Sequence, residues 1–68
     1  MDKKEQVKDL YNRFKKYTET AEQHEFATLL IMDLKISAAY KDLMKNWDEK
    51  HADAFIRGVG NIVNRLGV

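Results

Sequence analysis

Residues 26–47 read FATLLIMDLKISAAYKDLMKNW, and the spacing of their apolar positions decides the fold. At about 100° per residue, Phe26, Leu29, Leu30, Ile36, Tyr40, Leu43, Met44 and Trp47 gather on one side of a helix. Ala27, Ile31, Leu34 and Ala38 form a second apolar patch on nearly the opposite side. Thr28, Lys35 and Asp42, with His24 behind them, leave only a narrow wet stripe. A helix that is apolar most of the way round is buried most of the way round. The flanking segments decide whether one chain can cover it.

Upstream, Val7, Leu10, Tyr11, Phe14 and Tyr17 make one narrow stripe, which predicts a first helix over 3–18 opened by Asp2. Thr20 and Gln23 have the spacing of a capping box. Glu19, Glu22 and Glu25 crowd the same place, as the positive end of a helix dipole favours. The middle helix is therefore predicted over 21–45. Asn46-Trp47-Asp48 interrupts it, with Asp48 placed to cap a third helix. That helix spans 49–66 by the stripe Ala52, Phe55, Ile56, Val59, Ile62, Val63 and Leu66, and Gly67 closes it. There is no proline, and all three glycines fall at or beyond Gly58, so nothing strong breaks the earlier chain.

The expectation is one all-α domain over 1–68, a small three-helix unit with a long, largely buried middle helix. Its expected core is Val7, Leu10, Phe14, Leu30, Phe55, Ile56, Val59 and Val63. Each outer helix offers one apolar stripe, enough for one side of the middle helix. The patch of Ile31, Leu34 and Ala38 then needs another chain, so a homo-oligomer is expected, with a two-fold dimer the default. Ala54 and Gly58 of the third helix are small enough to join that contact. A core of this size supplies only about 3–5 kcal/mol, which also points to self-association.

Charged residues make up 34%, yet twelve Lys and Arg against eleven Asp and Glu leave a net charge of only +1. That balance does not suit a nucleic-acid sleeve or a disordered acidic tail. The longest uncharged stretch, Phe26 to Met32, is far short of the ~20 residues of a membrane span, and no signal-peptide segment opens the chain. The absence of cysteine excludes disulfides and thiolate sites and fits a cytoplasmic setting. In size and composition alone, such a chain resembles phage and mobile-element products and small bacterial regulators.

No nucleophile elbow, phosphate-cradling glycine loop or paired-histidine helix is present. His24 and His51 lack ligand-type partners one turn away, and Asp48 beside His51 is explained by its capping role. No enzyme, cofactor or metal centre is expected. Asp33 is the odd residue, because it falls in the middle of the larger apolar face with Ser37 one turn on. Unpaired, a carboxylate there costs several kcal/mol. It either pairs within the fold, with the Tyr40 hydroxyl, the Trp47 indole or a basic side chain, or forms with Ser37 a polar hole for a ligand or for register between subunits.

On the third helix, Ala54, Gly58, Asn61 and Arg65 lie opposite the apolar stripe, flanked by Lys50 and Arg57. Glycine inside a helix costs ~1 kcal/mol relative to alanine, so Gly58 and Gly60 ask for a reason such as a close approach. Arg57, Asn61 and Arg65 would supply donors suited to carboxylate or phosphate. The functional expectation is a non-enzymatic regulator or inhibitor that self-associates and binds a partner protein stoichiometrically through a helical face. The alternative is an oligomer sequestering a small anionic ligand such as a nucleotide, with Tyr11 and Tyr40 stacking on a base and Arg57, Asn61 and Arg65 holding phosphate. A second alternative, less favoured by the charge balance, is a nucleic-acid accessory using Lys4, Lys8 and Lys15 on one flank of the first helix.

Overall fold

The computed structural model describes residues 2–20 and 28–67 in full and residues 26 and 27 as backbone. The described residues form three helices: α1 over Lys3–Thr20, α2 over Phe26–Lys45 and α3 over Glu49–Leu66. No strand occurs among the described residues. The small all-α architecture read from the sequence is the one observed.

Local chemistry sets the helix ends. Asp2 caps α1, its Oδ1 accepting from the Glu5 backbone N–H at 2.8 Å while its carbonyl accepts from Gln6 at 3.0 Å. Asp48, extended at φ −140° and ψ 123°, caps α3 by accepting from Lys50 N–H at 3.1 Å. Gly67 terminates α3 in the left-handed region at φ 74°, and its N–H reaches the carbonyls of Val63 and Asn64. A side chain at that φ is strained, which is why glycine stands there.

The sequence reading needs correction at the end of α1. Thr20 is helical, and its hydroxyl donates backwards to the carbonyls of Tyr17 and Lys16. Thr18 does the same to Lys15 at 2.8 Å. Such back-bonds to carbonyls three and four residues earlier are the local alternative to capping a following helix, and α1 runs two residues past its expected end. Ala21 and Gln23, where the middle helix and its capping box were expected, lie outside the described residues.

Chain direction follows from cross-helix contacts. Lys3 Nζ meets the carboxylates of Glu49 and Asp53, each at 2.9 Å, and Leu10 lies against Gly60, so α1 and α3 run parallel. Tyr11 touches Ser37 and Lys15 touches Asp33, so α2 runs antiparallel to α1. α1 packs most extensively on α3, less on α2, and α2 and α3 meet least. The core is Val7 and Phe14 of α1, Ile36 and Leu43 of α2, and Ala52, Phe55, Val59 and Val63 of α3. Leu29 is also buried. Leu10, Tyr11, Met32, Tyr40, Met44, Trp47, Ile56 and Ile62 pack half-buried around them.

Leu30, expected in the core, is 45% exposed. Leu29, Ile36 and Leu43 recur at seven-residue spacing and set the line that faces α1 and α3. Leu30 lies 100° round from Leu29, past the edge that α1 covers at Asp33 and Ser37. With Ile31 and Leu34 it belongs to the outer face of α2.

Candidate functional site

A polar seam runs between α1 and α2 through the otherwise apolar contact. Lys15 Nζ donates to Asp33 Oδ1 at 2.9 Å, and Ser37 Oγ donates to the same oxygen at 3.2 Å. The Tyr11 hydroxyl lies 3.1 Å from Ser37 Oγ. With the Ser37 proton committed to Asp33, Tyr11 is the donor in that pair, and the chain of bonds runs Tyr11 to Ser37 to Asp33 to Lys15. The hydrogen bond to Asp33 raises the Lys15 pKa above 10.5 and outweighs the partial desolvation that lowers it. The Asp33 carboxylate thus has its partner within the fold, a lysine of the neighbouring helix.

The Tyr11 and Tyr40 rings stack at a centroid distance of 4.0 Å with their planes 5° apart, and Tyr40 leans on Phe55 at 6.3 Å. Each tyrosine therefore spends a ring face on the other. Tyr11, Tyr40 and Asp33 are brought together as one seam. Arg57, Asn61 and Arg65 are not part of it. They stand exposed on α3, turned away from Ala52, Phe55, Val59 and Val63, and no acidic group among the described residues pairs with either arginine.

Ala54 and Gly58 are exposed on the same helix. A Cβ built at Gly58 meets nothing within 4 Å, and one at Gly60 meets only Leu10 Cδ1 at 4.0 Å. Packing within the protomer therefore does not require glycine at either position.

The outer face of α2 carries Leu30, Ile31 and Leu34, which are 45%, 58% and 65% exposed, with Ala38 exposed one turn further. Lys41 and Lys45 continue this face toward the C-terminal end, at helical spacing from Leu34 and Ala38. Sequence reading placed Ile31, Leu34 and Ala38 here and missed Leu30, because Leu30 falls between the two apolar patches in phase.

A groove of about 680 Å³ opens where α2 and α3 diverge, lined by Ala39, Asp42, Leu43, Asn46, His51, Ala54 and Phe55. Sequence reasoning did not find it. The small residues Ala39 and Ala54, one on each wall, were the available signal.

At the junction of α2 and α3, Lys4 Nζ lies 5.4 Å from the centre of the Trp47 ring, whose indole N–H donates to Glu49 at 3.4 Å. His51 hydrogen-bonds the Asp48 carboxylate, within the α3 cap. Lys3 bonds to Asp53 and then to Glu49, which raises its pKa, and the Lys3 contact lowers that of Glu49. Of the flank Lys4, Lys8 and Lys15, Lys15 is bound to Asp33 and Lys4 sits over Trp47, whereas Lys8 has no ion pair or ring contact among the described residues.

Among the described residues no group of three His, Cys, Asp or Glu side chains is placed to hold a metal ion. No described helix is long and apolar enough to cross a membrane. No family model matches the chain, no curated protein matches it, and no solved structure matches it.

Proposed function

We propose that the chain is a non-enzymatic regulator or inhibitor, of the kind phages and mobile elements encode, that self-associates and binds a partner protein stoichiometrically through a helical face. The observation that carries this reading is the aliphatic stripe of Leu30, Ile31 and Leu34 on the side of α2 opposite its buried face. A contiguous apolar surface rimmed by charge is the usual mark of an interaction site. Here the rim is Lys35, Lys41, Asp42 and Lys45. The stripe serves self-association. The outer face of α3, with Arg57, Asn61 and Arg65, then remains for an acidic surface on the partner, since guanidinium forks suit carboxylates.

Sequestration of a nucleotide is less well supported. The tyrosines that would stack on a base are stacked on each other, and the arginines that would hold phosphate stand on a different surface. A thermal-shift series against nucleotides, run beside capture of host proteins with wild type and with Arg57→Ala/Arg65→Ala, tests the choice. The regulator reading expects a discrete partner held by the wild type and lost by the double variant, with no nucleotide shift. Stabilisation by micromolar nucleotide, growing as RT ln(1 + [L]/Kd), would replace it with the ligand reading.

A further inference from the structure

The groove between α2 and α3 is built from two helical stripes. Along α2 it takes Ala39, Asp42, Leu43 and Asn46, at i, i+3, i+4 and i+7. α3 supplies His51, Ala54 and Phe55 at the matching spacing. Leu43 and Phe55 are buried and make an apolar floor, while the other lining residues are exposed and make the walls. Ala39 and Ala54 carry a single methyl each, one on either wall, and leave a volume of about 680 Å³. Clefts of that size, mostly apolar with a few polar groups, are where small molecules bind.

The walls are one-sided in charge. The Asp42 carboxylate makes no ion pair or hydrogen bond among the described residues, and the Asn46 side-chain amide is uncommitted in the same way. His51 meets the Asp48 carboxylate through Nδ1. With Nδ1–H donated there, a neutral ring keeps Nε2 as an acceptor. No lysine or arginine lines the groove. An anion entering it would meet an uncompensated carboxylate. A cationic head with several N–H donors would meet a carboxylate, an amide oxygen and an imidazole nitrogen instead.

We propose that the α2/α3 groove binds a small organic cation, a primary ammonium head carried on an aromatic body. The head sits at Asp42, and the body lies on Leu43 and Phe55 between Ala39 and Ala54. This ligand class is opposite in charge to a nucleotide, and the site shares no residue with the tyrosine seam or with Arg57, Asn61 and Arg65. It does not depend on the regulator reading, which concerns the outer faces of α2 and α3.

Phenethylammonium is the probe, with hydrocinnamate and phenethyl alcohol as anionic and neutral controls of similar shape. In an amide-detected NMR titration of the full chain at mildly alkaline pH, the probe should shift Asp42, Leu43, Asn46, Ala54 and Phe55 with millimolar or tighter affinity. The alcohol should bind the same residues more weakly, and the carboxylate should leave them unmoved. Asp42→Asn should weaken the probe roughly fivefold, as loss of a half-exposed ion pair does, and leave the alcohol unchanged. Ala54→Leu fills the groove from an exposed position, so it should abolish binding of both with helical circular dichroism unchanged. Ala39→Leu occludes the opposite wall and serves equally if Ala54→Leu disturbs the helices. Equal shifts with the carboxylate, or an Asp42→Asn variant that binds the probe as the wild type does, overturn the cationic specificity. Shifts that map away from the groove, or none at tens of millimolar probe, overturn the site itself.

Discussion

Gly58 offers the sharpest test of how α3 is built. It sits in the middle of an eighteen-residue helix, exposed, and a Cβ added there meets nothing within 4 Å. Glycine at an interior helical position is ~1 kcal/mol worse than alanine because it loses more backbone freedom on folding. Gly58→Ala should therefore stabilise the protomer by about 0.5–1 kcal/mol. For a domain near this size that corresponds to a rise in Tm of roughly 2–8 °C. Urea unfolding followed by circular dichroism measures it, and the midpoint should rise with the slope unchanged. Gly60→Ala should behave alike, since its new methyl would sit at ordinary contact distance from Leu10 Cδ1. Gly67→Ala should go the other way by about 1 kcal/mol, because φ of 74° is strained for any Cβ. Equal effects at Gly58 and Gly67 would refute the reasoning, since it depends on one glycine being helical and the other left-handed. A loss of stability for Gly58→Ala that grows with protein concentration would place a second chain against that backbone.

Phe14 is fully buried, so Phe14→Ala should cost about 3–5 kcal/mol, comparable to the whole stability of so small a domain, and abolish cooperative thermal unfolding. Leu30→Ala, at a position 45% exposed, should cost under about 1 kcal/mol in dilute solution. The Lys15 pKa is raised above 10.5 by Asp33, so its contribution is fully present below pH 10.5 and is lost as pH rises through the raised value. Lys15→Met should flatten that alkaline limb of a stability–pH profile. The Glu49 pKa is lowered below 4.5 by Lys3, so its contribution is present above pH 4.5 and is lost as pH falls through the lowered value. Glu49→Gln should remove that part of the acid sensitivity, and an unchanged profile would show that the Lys3 contact does not persist in solution.

What could be read from the chain alone divides by the range of the interactions. The caps at Asp48 and Gly67 involve neighbours within four residues, and both were legible. So was the stripe of α3, whose polar and apolar sides are cleanly separated. The middle helix was harder because it is apolar nearly all round, so periodicity identified its faces without saying which residues α1 would cover. Leu30 was misplaced for that reason. The partner of Asp33 lies eighteen residues away on another helix, and only the docking of α1 selects Lys15 over the other basic side chains. Thr20 shows how a local signal can be ambiguous: a threonine hydroxyl can cap a following helix or bond back to the preceding turn, and here it donates to the carbonyls of Lys16 and Tyr17. The α2/α3 groove was illegible because it arises from the angle between helices, which residue spacing does not encode.

The dominance of the α1–α3 contact has a kinetic consequence. The best-packed pair joins the two helices farthest apart along the chain, while each sequence-adjacent pair packs less well. An α1–α2 or α2–α3 hairpin forming early would gain less, since the most extensive packing of α1 is with α3. The rate-limiting ensemble must therefore close the largest loop the chain contains before its main contacts repay the lost entropy. For a helical protein this predicts folding at the slow end of its class. It also predicts high φ-values shared between Val7 on α1 and Val59 on α3, with low values along the exposed face of α2.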